Sequence, residues 1–352
     1  MLIKSFNTRQ LISGDTLSIP YFSFTGKESG PSIYIQAGIH GQELMGYGVA
    51  LCLIEHFKKS SPKGQITIVP KANPYGMNFK MAEATYGRFD PSTGSNWNRN
   101  YVNWIKDQSD FLEKYRSQPW DKIKSFLRQE ALSNLEKLDN LPYANKLARQ
   151  LQALAIQHDI LLDLHCDGTS LPYAYCHEYA LPYARGLDFE YYFTMSRYFK
   201  GSFDDATIFP FWSVFELMNL PIEQFDMMAF TLELGSKEYF NLKECQSFAD
   251  RIIQFTNNPY ERAQGNDRQT VCSQENFVDV YSSFAGMLYD FVPLGQWVGA
   301  GEPLCYLLRT DNKDCLLNER IMSVTYHKKC LPIARTIGSS VHEGMSILTC
   351  IT

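Results

Sequence analysis

The chain lacks any uninterrupted apolar run near the roughly 18 residues that would suggest a membrane-spanning helix, so no membrane partner is expected. Its first residues, Met1-Leu2-Ile3-Lys4-Ser5-Phe6-Asn7, hold no apolar stretch of the signal-peptide kind. It has no excess of basic charge. Lys and Arg total 33 against 38 Asp and Glu, a net charge of −5, and this excludes the electrostatic footprint of a nucleic-acid binder. It has no CxxC pair. Its nine cysteines are scattered and odd in number, which argues against a disulfide framework or a cysteine-type zinc site. They point instead to a reducing compartment, here the cytoplasm. Internal repeats and low-complexity tracts are absent too. What remains is 352 residues, 45% hydrophobic and 20% charged. That is an ordinary soluble-enzyme composition, with room for two domains or one large one, and a homo-oligomer is compatible with it.

Two short motifs stand out against this background. His40-Gly41-Gln42-Glu43 follows the strand-like run Ser32–Ile39, and Asp163-Leu164-His165 ends the run Ile160–Leu164. Loops beyond the carboxyl ends of strands are where open α/β sheets bind ligands. Two imidazoles and one carboxylate meeting there would leave a zinc ion with an open coordination position, the catalytic pattern. HxxE also arises by chance, and a histidine after a strand is often only a hydrogen-bonded loop residue. Three further features add weight. Asn96-Trp97-Asn98-Arg99-Asn100-Tyr101 lies between the motifs, Asn73-Pro74 follows the strand 65–71, and Phe230-Thr231-Leu232-Glu233-Leu234-Gly235 puts an acid on a later strand.

In that order the motifs resemble the succinylglutamate desuccinylase/aspartoacylase branch of the zinc carboxypeptidase superfamily. The likeness runs from about Ile12 to Gly235 and includes Gly14-Asp15-Thr16-Leu17-Ser18-Ile19-Pro20 and Gly30-Pro31. The resemblance implies one Zn2+ per chain held by His40, Glu43 and His165, with Glu233 as catalytic acid/base. It also implies that Asn98 and Arg99 bind a substrate carboxylate. The fold it implies is α/β, a zinc-carboxypeptidase-like mixed sheet flanked by helices.

The chain reads as strands and turns over 1–27, a strand over 32–39, a helix over 43–59 and a strand over 65–71, a βαβ unit. Leu44, Tyr47, Leu51, Ile54 and Phe57 approximate one face of that helix. Residues 74–104 look irregular, and long loops of this kind are usually functional. Residues 106–157 read as a helical insertion broken near Pro119 and near Asn140-Leu141-Pro142. Strands resume at 160–165 and 228–234. Between them lie Tyr173, Tyr175, Tyr179, Tyr183, Tyr191, Tyr192, Phe193, Tyr198 and Phe199, mostly packing and in part lining a pocket. A closing helix follows over 237–256. These elements make a catalytic domain of residues 1–264. Residues 265–352 then form a small C-terminal β domain whose Gly295–Leu304 stretch resembles biotinyl/lipoyl folds, without their attachment lysine.

Glu233 could move protons or make a structural ion pair; the motif order favours catalysis. Arg88, in Gly87-Arg88-Phe89-Asp90, is the candidate guanidinium for charge developing on the attacked carbonyl, although its spacing to Asn98 departs from the family arrangement. Arg99 suits a carboxylate through its planar fork; a surface ion pair is the alternative. Asp163, two residues before His165, shares its face of the strand and is either a partner of that histidine or a packed aspartate. Cys166 reads as a small buried residue rather than a catalytic thiol, and His158 and His177 as structural. The expected activity is zinc-dependent hydrolysis of an amide in a small N-acyl amino acid or related carboxylate. The alternatives are a metallocarboxypeptidase acting on short peptides and a non-catalytic binding protein that kept the fold.

Overall fold

The structure, a computed structural model, describes residues 1–105, 113–195, 201–311 and 314–352. Nine strands form its main sheet: β1 (Leu2–Gln10), β2 (Thr16–Thr25), β3 (Ser32–Ala37), β4 (Gln65–Val69), β5 (Ile160–Asp167), β6 (Tyr173–His177), β7 (Tyr191–Met195), β8 (Met228–Ser236) and β9 (Thr270–Ser273). Their spatial order is β1-β2-β4-β3-β5-β8-β6-β7-β9. The sheet is mixed. β3, β4, β5 and β8 run parallel, β6 is antiparallel to β8, and β1 and β2 add an antiparallel edge.

Strands β3, β5 and β8 are covered on both faces, so they read as continuous apolar runs rather than alternating ones. Ile33, Ile35, Leu162, Leu164, Phe230 and Leu232 enter one core. Tyr34, Leu161 and Ala229, on the opposite pleat, enter the other. The first core is closed by the helices Leu44–Lys59 and Leu242–Asn257. The second is closed by the helices Trp120–Leu135, Tyr143–Ala155 and Phe203–Leu217. Pro119 and Pro142 stand at the N-caps of the first two of these, where a missing N–H costs nothing. The earlier part of the expected insertion, 106–112, lies outside the described residues, as do Tyr198 and Phe199.

One expected helix face and one expected helix start are corrected. Helix Leu44–Lys59 buries Met45, Val49, Ala50, Leu53, Ile54 and Phe57, while Leu51 is 44% exposed. The reason is backbone approach. A Cβ at Gly46 would meet the Leu164 carbonyl oxygen at 2.9 Å, so the glycine side, not the bulkiest stripe, faces the sheet. The closing helix begins at Leu242, capped by Asn241, whose side chain accepts from the N–H groups of Lys243 and Glu244. Phe240 therefore lies outside it and is exposed. The aromatic stretch after His165 is more ordered than its sequence suggests. It supplies β6 and β7, and helix Phe203–Leu217 follows with Pro210 in its interior.

The strands after residue 273 are β10 (Phe277–Tyr281), β11 (Gly286–Tyr289), β12 (Pro303–Arg309), β13 (Ile321–Thr325), β14 (Leu331–Arg335), β15 (Ser340–Val341) and β16 (Ser346–Ile351). They build two four-stranded sheets, one ordered β13-β12-β11-β15 and the other β10-β16-β14. The second sheet takes its fourth strand from Thr169–Ser170, which pairs with Arg335 and Ala334 just beyond the end of β5. The last strands of the chain are thereby fastened to the segment that follows His165.

Candidate active site

Strand β3 ends at Ala37, and the turn after it carries His40 and Glu43. Gly41 makes the turn possible, because a Cβ there would lie 2.2 Å from the Gly76 carbonyl oxygen. The Gly41 N–H donates to the Gly87 carbonyl at 3.0 Å, which sets Arg88 beside the turn. Asn73 holds the neighbouring loop: its Nδ2 donates to the Ile39 carbonyl at 3.0 Å and its Oδ1 accepts from the Gly76 N–H at 2.9 Å. From the adjacent parallel strand β5 comes His165, with Asp163 on the same face.

His40, Glu43 and His165 are 3%, 2% and 3% exposed. Their ligand atoms lie within 4.8 Å of one another, the one such group among the described residues. His40 Nδ1 is 2.7 Å from Glu43 Oε1, and His165 Nδ1 is 2.8 Å from Glu43 Oε2. The far nitrogens are held by acceptors. His40 Nε2–H donates to Asn96 Oδ1 at 2.8 Å, an oxygen that also accepts the Asn98 N–H at 2.9 Å. His165 Nε2–H donates to Asp163 Oδ2 at 2.8 Å. Acceptors at both Nε2 atoms hold protons there, so the Nδ1 atoms facing the Glu43 carboxylate are the ones that would give up a proton to bind a metal. The two imidazoles hold the Glu43 carboxyl well below its usual range, against the opposing pull of burial. The cluster therefore fits a single zinc ion in donor set and convergence, with three protein ligands as in catalytic sites.

A hydrogen-bonded chain backs His165. The Tyr34 hydroxyl donates to Gln36 Oε1 at 3.0 Å, and Gln36 Nε2 donates to Asp163 Oδ1 at 3.0 Å. Gln36 and Asp163 are register partners on β3 and β5. We predict that Asp163→Asn weakens zinc binding by roughly 10- to 100-fold, since it removes the charge facing the imidazole. Competition with a chromophoric chelator measures this, and an unchanged affinity would show that Asp163 only packs.

Glu233 sits on β8 opposite His165 in register. It faces a cavity of about 520 Å³ that also admits His40, Glu43, Arg88, Asn98 and Arg99. Its Oε2 has no hydrogen-bond partner among the described residues. Burial pushes its carboxyl up to about 8; His165 pulls it down, and Asp167 and Glu43 push it further up. A cation at the neighbouring cluster would lower this value toward neutrality, the range that suits proton transfer. Arg88 Nη1 lies 3.5 Å from Glu43 Oε1. Asn98 Oδ1 accepts from the Phe203 N–H at 3.2 Å, and its Nδ2 lies 3.3 Å from His165 Nε2 at the edge of the cluster. Arg99 is exposed, and its guanidinium bonds, among the described residues, the Asn98 carbonyl at 2.7 Å. Among the described residues no carboxylate pairs with it. Cys166 is buried, and its thiol is pushed well above its usual value by burial and then by Glu43 and Glu233, which disfavours the nucleophilic thiolate. His158 bonds Thr67 and the Leu154 carbonyl, away from the cavity.

Sequence reasoning gave no role to Asn96 or Gln36. Asn96 stood in the quoted motif, but its reach to His40 depends on the fold of the loop. Gln36, a polar residue in an apolar strand and register partner to Asp163, carried the one readable signal. Nor did the sequence reveal that Phe277, Asp279, Ser346 and Thr349, from β10 and β16, line the same cavity.

Residues 29–257 match the family model described as the succinylglutamate desuccinylase/aspartoacylase catalytic domain. No curated protein matches the sequence. The solved structures that match include two at 29% identity. One, a succinylglutamate desuccinylase/aspartoacylase family protein of Shewanella amazonensis SB2B, has a TM-score of 0.93 over 100% of this chain and 99% of its own. The other, described as a succinylglutamate desuccinylase/aspartoacylase of Shewanella frigidimarina NCIMB 400, has a TM-score of 0.92 over 100% and 97%. A succinylglutamate desuccinylase/aspartoacylase of Rhodobacter sphaeroides, 14% identical with a TM-score of 0.64 over 96% and 89%, shares the fold.

Proposed function

We propose, from the premise that the chain belongs to the succinylglutamate desuccinylase/aspartoacylase family of the zinc-carboxypeptidase-like superfamily, that it hydrolyses the amide bond of a small N-acyl amino acid or related carboxylate. The observation that carries this reading is the buried convergence of His40, Glu43 and His165 beside a carboxylate, Glu233, that ligates nothing. Zinc held by the three ligands supplies Lewis acidity, lowering the pKa of water and polarising a carbonyl. The chain's own groups do the rest. Glu233 accepts the proton of the attacking water and returns it to the departing amine nitrogen, both steps suiting a carboxyl tuned near neutrality. Arg88, at the cavity edge beside Glu43, is the donor for charge growing on the carbonyl oxygen. Asn98 and Arg99 hold the substrate carboxylate.

A small substrate is favoured over a peptide because Phe277 and Thr349 wall the cavity from the side of the last strands, and about 520 Å³ suits a ligand of modest size. We read residues 265–352 as a β domain of biotinyl/lipoyl type that serves here to shape this wall. Its support is a separate apolar cluster around Leu304, Cys305 and Ile347. Nine free thiols fit the reducing cytoplasm, and among the described residues no helix is long and apolar enough to cross a membrane.

The test is a screen of N-acyl amino acids with purified, zinc-loaded protein. Hydrolysis that stops on chelation and returns with zinc is expected; no hydrolysis of any member would refute the reading. The role of Arg99 has its own test. Lys supplies charge without the planar fork, so Arg99→Lys should raise KM for an N-acyl amino acid with little change in kcat. It should also narrow the preference for the acid over its carboxamide. A variant that discriminates as well as the parent protein would remove Arg99 from carboxylate recognition.

A further inference from the structure

Glu233 pairs in register with Tyr173, and Thr231 with Tyr175, on the antiparallel neighbour β6. Tyr175 in turn pairs with Phe193 on β7. Phe277 of β10 closes on the same rings: its centroid is 4.6 Å from that of Phe193, 6.0 Å from Tyr175 and 6.5 Å from Tyr173. All four rings border the cavity, and Tyr175 and Phe277 are only half-buried. The wall thus begins beside the proposed acid/base and ends on a strand beyond residue 257, the last residue matched by the family model.

Three of the carboxylates bordering the cavity are already satisfied by the protein. Asp167 accepts from the Tyr173 hydroxyl at 2.8 Å and the Gly168 N–H at 2.7 Å. Asp204 accepts from the hydroxyls of Ser202 and Thr231, and Asp279 from that of Thr349 at 2.9 Å. Fixed negative charges around a small cavity repel a second carboxylate on a ligand whose first is already held by a guanidinium. Offset and edge-to-face ring contacts, by contrast, offer an apolar, shape-selective surface to another ring.

Resting on the hydrolase reading above, we propose that this wall selects the substrate: an N-acyl amino acid bearing an aromatic group, rather than one bearing a second carboxylate. The ring is supplied either by the amino-acid side chain or by the acyl group, and two compounds separate these sources. N-acetyl-L-phenylalanine carries it on the side chain, and N-benzoylglycine on the acyl group.

The experiment compares kcat/KM of the zinc-loaded full-length protein for these two compounds, N-acetylglycine, N-acetyl-L-aspartate and N-succinyl-L-glutamate. At least one aromatic compound should exceed N-acetylglycine by roughly 10- to 100-fold, the worth of a well-filled apolar pocket. Both dicarboxylates should fall below it. In Phe277→Ala the ratio of aromatic to N-acetylglycine turnover should drop by about tenfold. Binding of the same compounds to zinc-loaded Glu233→Gln, followed by calorimetry, should give the same ranking without chemistry. A dicarboxylate turned over best, or a ratio unchanged in Phe277→Ala, would overturn the aromatic assignment and leave the hydrolase reading standing. Hydrolysis of none of the five, with no N-acyl amino acid bound, would overturn both.

Discussion

Glu233→Gln should lower turnover by about two to four orders of magnitude, the usual worth of general acid–base catalysis, while zinc content stays at one ion per chain. The substitution keeps the shape of a side chain whose Oε2 has no hydrogen-bond partner among the described residues, so little packing is disturbed. It removes the proton acceptor beside His165 on the neighbouring strand. The loss should lie in kcat rather than KM, because proton transfer is needed only as the transition state is reached. Burial pushes the Glu233 carboxyl up to about 8. The ascending limb of the pH–rate profile should therefore follow its deprotonation, displaced to lower pH by the metal's charge, and should vanish in the Gln variant. Steady-state kinetics across pH, with metal analysis of the same preparations, checks this. Near-normal turnover would assign the proton work elsewhere.

His165→Asn should have the second large effect, with zinc content falling from one ion per chain to a small fraction and hydrolysis falling to background. Three ligands leave no redundancy. The change also uncouples Asp163 Oδ2 and Glu43 Oε2, two buried carboxylate oxygens now satisfied at 2.8 Å each by the same imidazole. Removing one partner of a buried charged pair is costly, so thermal stability should drop as well. Asparagine can still bond one of the two carboxylates, which keeps the fold measurable. Inductively coupled plasma analysis after reconstitution, together with a melting curve, reads both effects. Full zinc occupancy in this variant would mean that the ion is held by other residues.

The metal cluster was legible in the sequence because its geometry is nearly local. His40 and Glu43 share one turn, Asp163 and His165 share one face of a strand by the period of two, and both motifs close apolar runs that read as buried parallel strands. Once β3 and β5 lie side by side, the two histidines have little choice but to meet. Glu233 was legible for the same reason, as an acid at the end of a third such run. The helix faces were less so. A hydrophobic stripe names the bulky residues of Leu44–Lys59, but the close approach of Gly46 to Leu164 decides which side turns inward.

What only the tertiary structure decided are the contacts between segments distant in the chain. Asn96 reaches His40 across 56 positions and Gln36 reaches Asp163 across 127, distances over which no periodicity carries information. The ring wall needs β6 and β7 paired in the main sheet and β10, from a second sheet, packed against them, an arrangement fixed by tertiary packing rather than by succession along the chain. The sequence by itself therefore determined the groups available to this protein: two imidazoles, a ligand carboxylate and a second carboxylate beside them, each tied to a strand by local pattern. The fold decided how those groups are oriented, which acceptors set their tautomers, and which substrate shape the cavity admits. Those properties depend on long-range pairing, and the shape of the cavity depends also on β10 and β16, whose side chains line it.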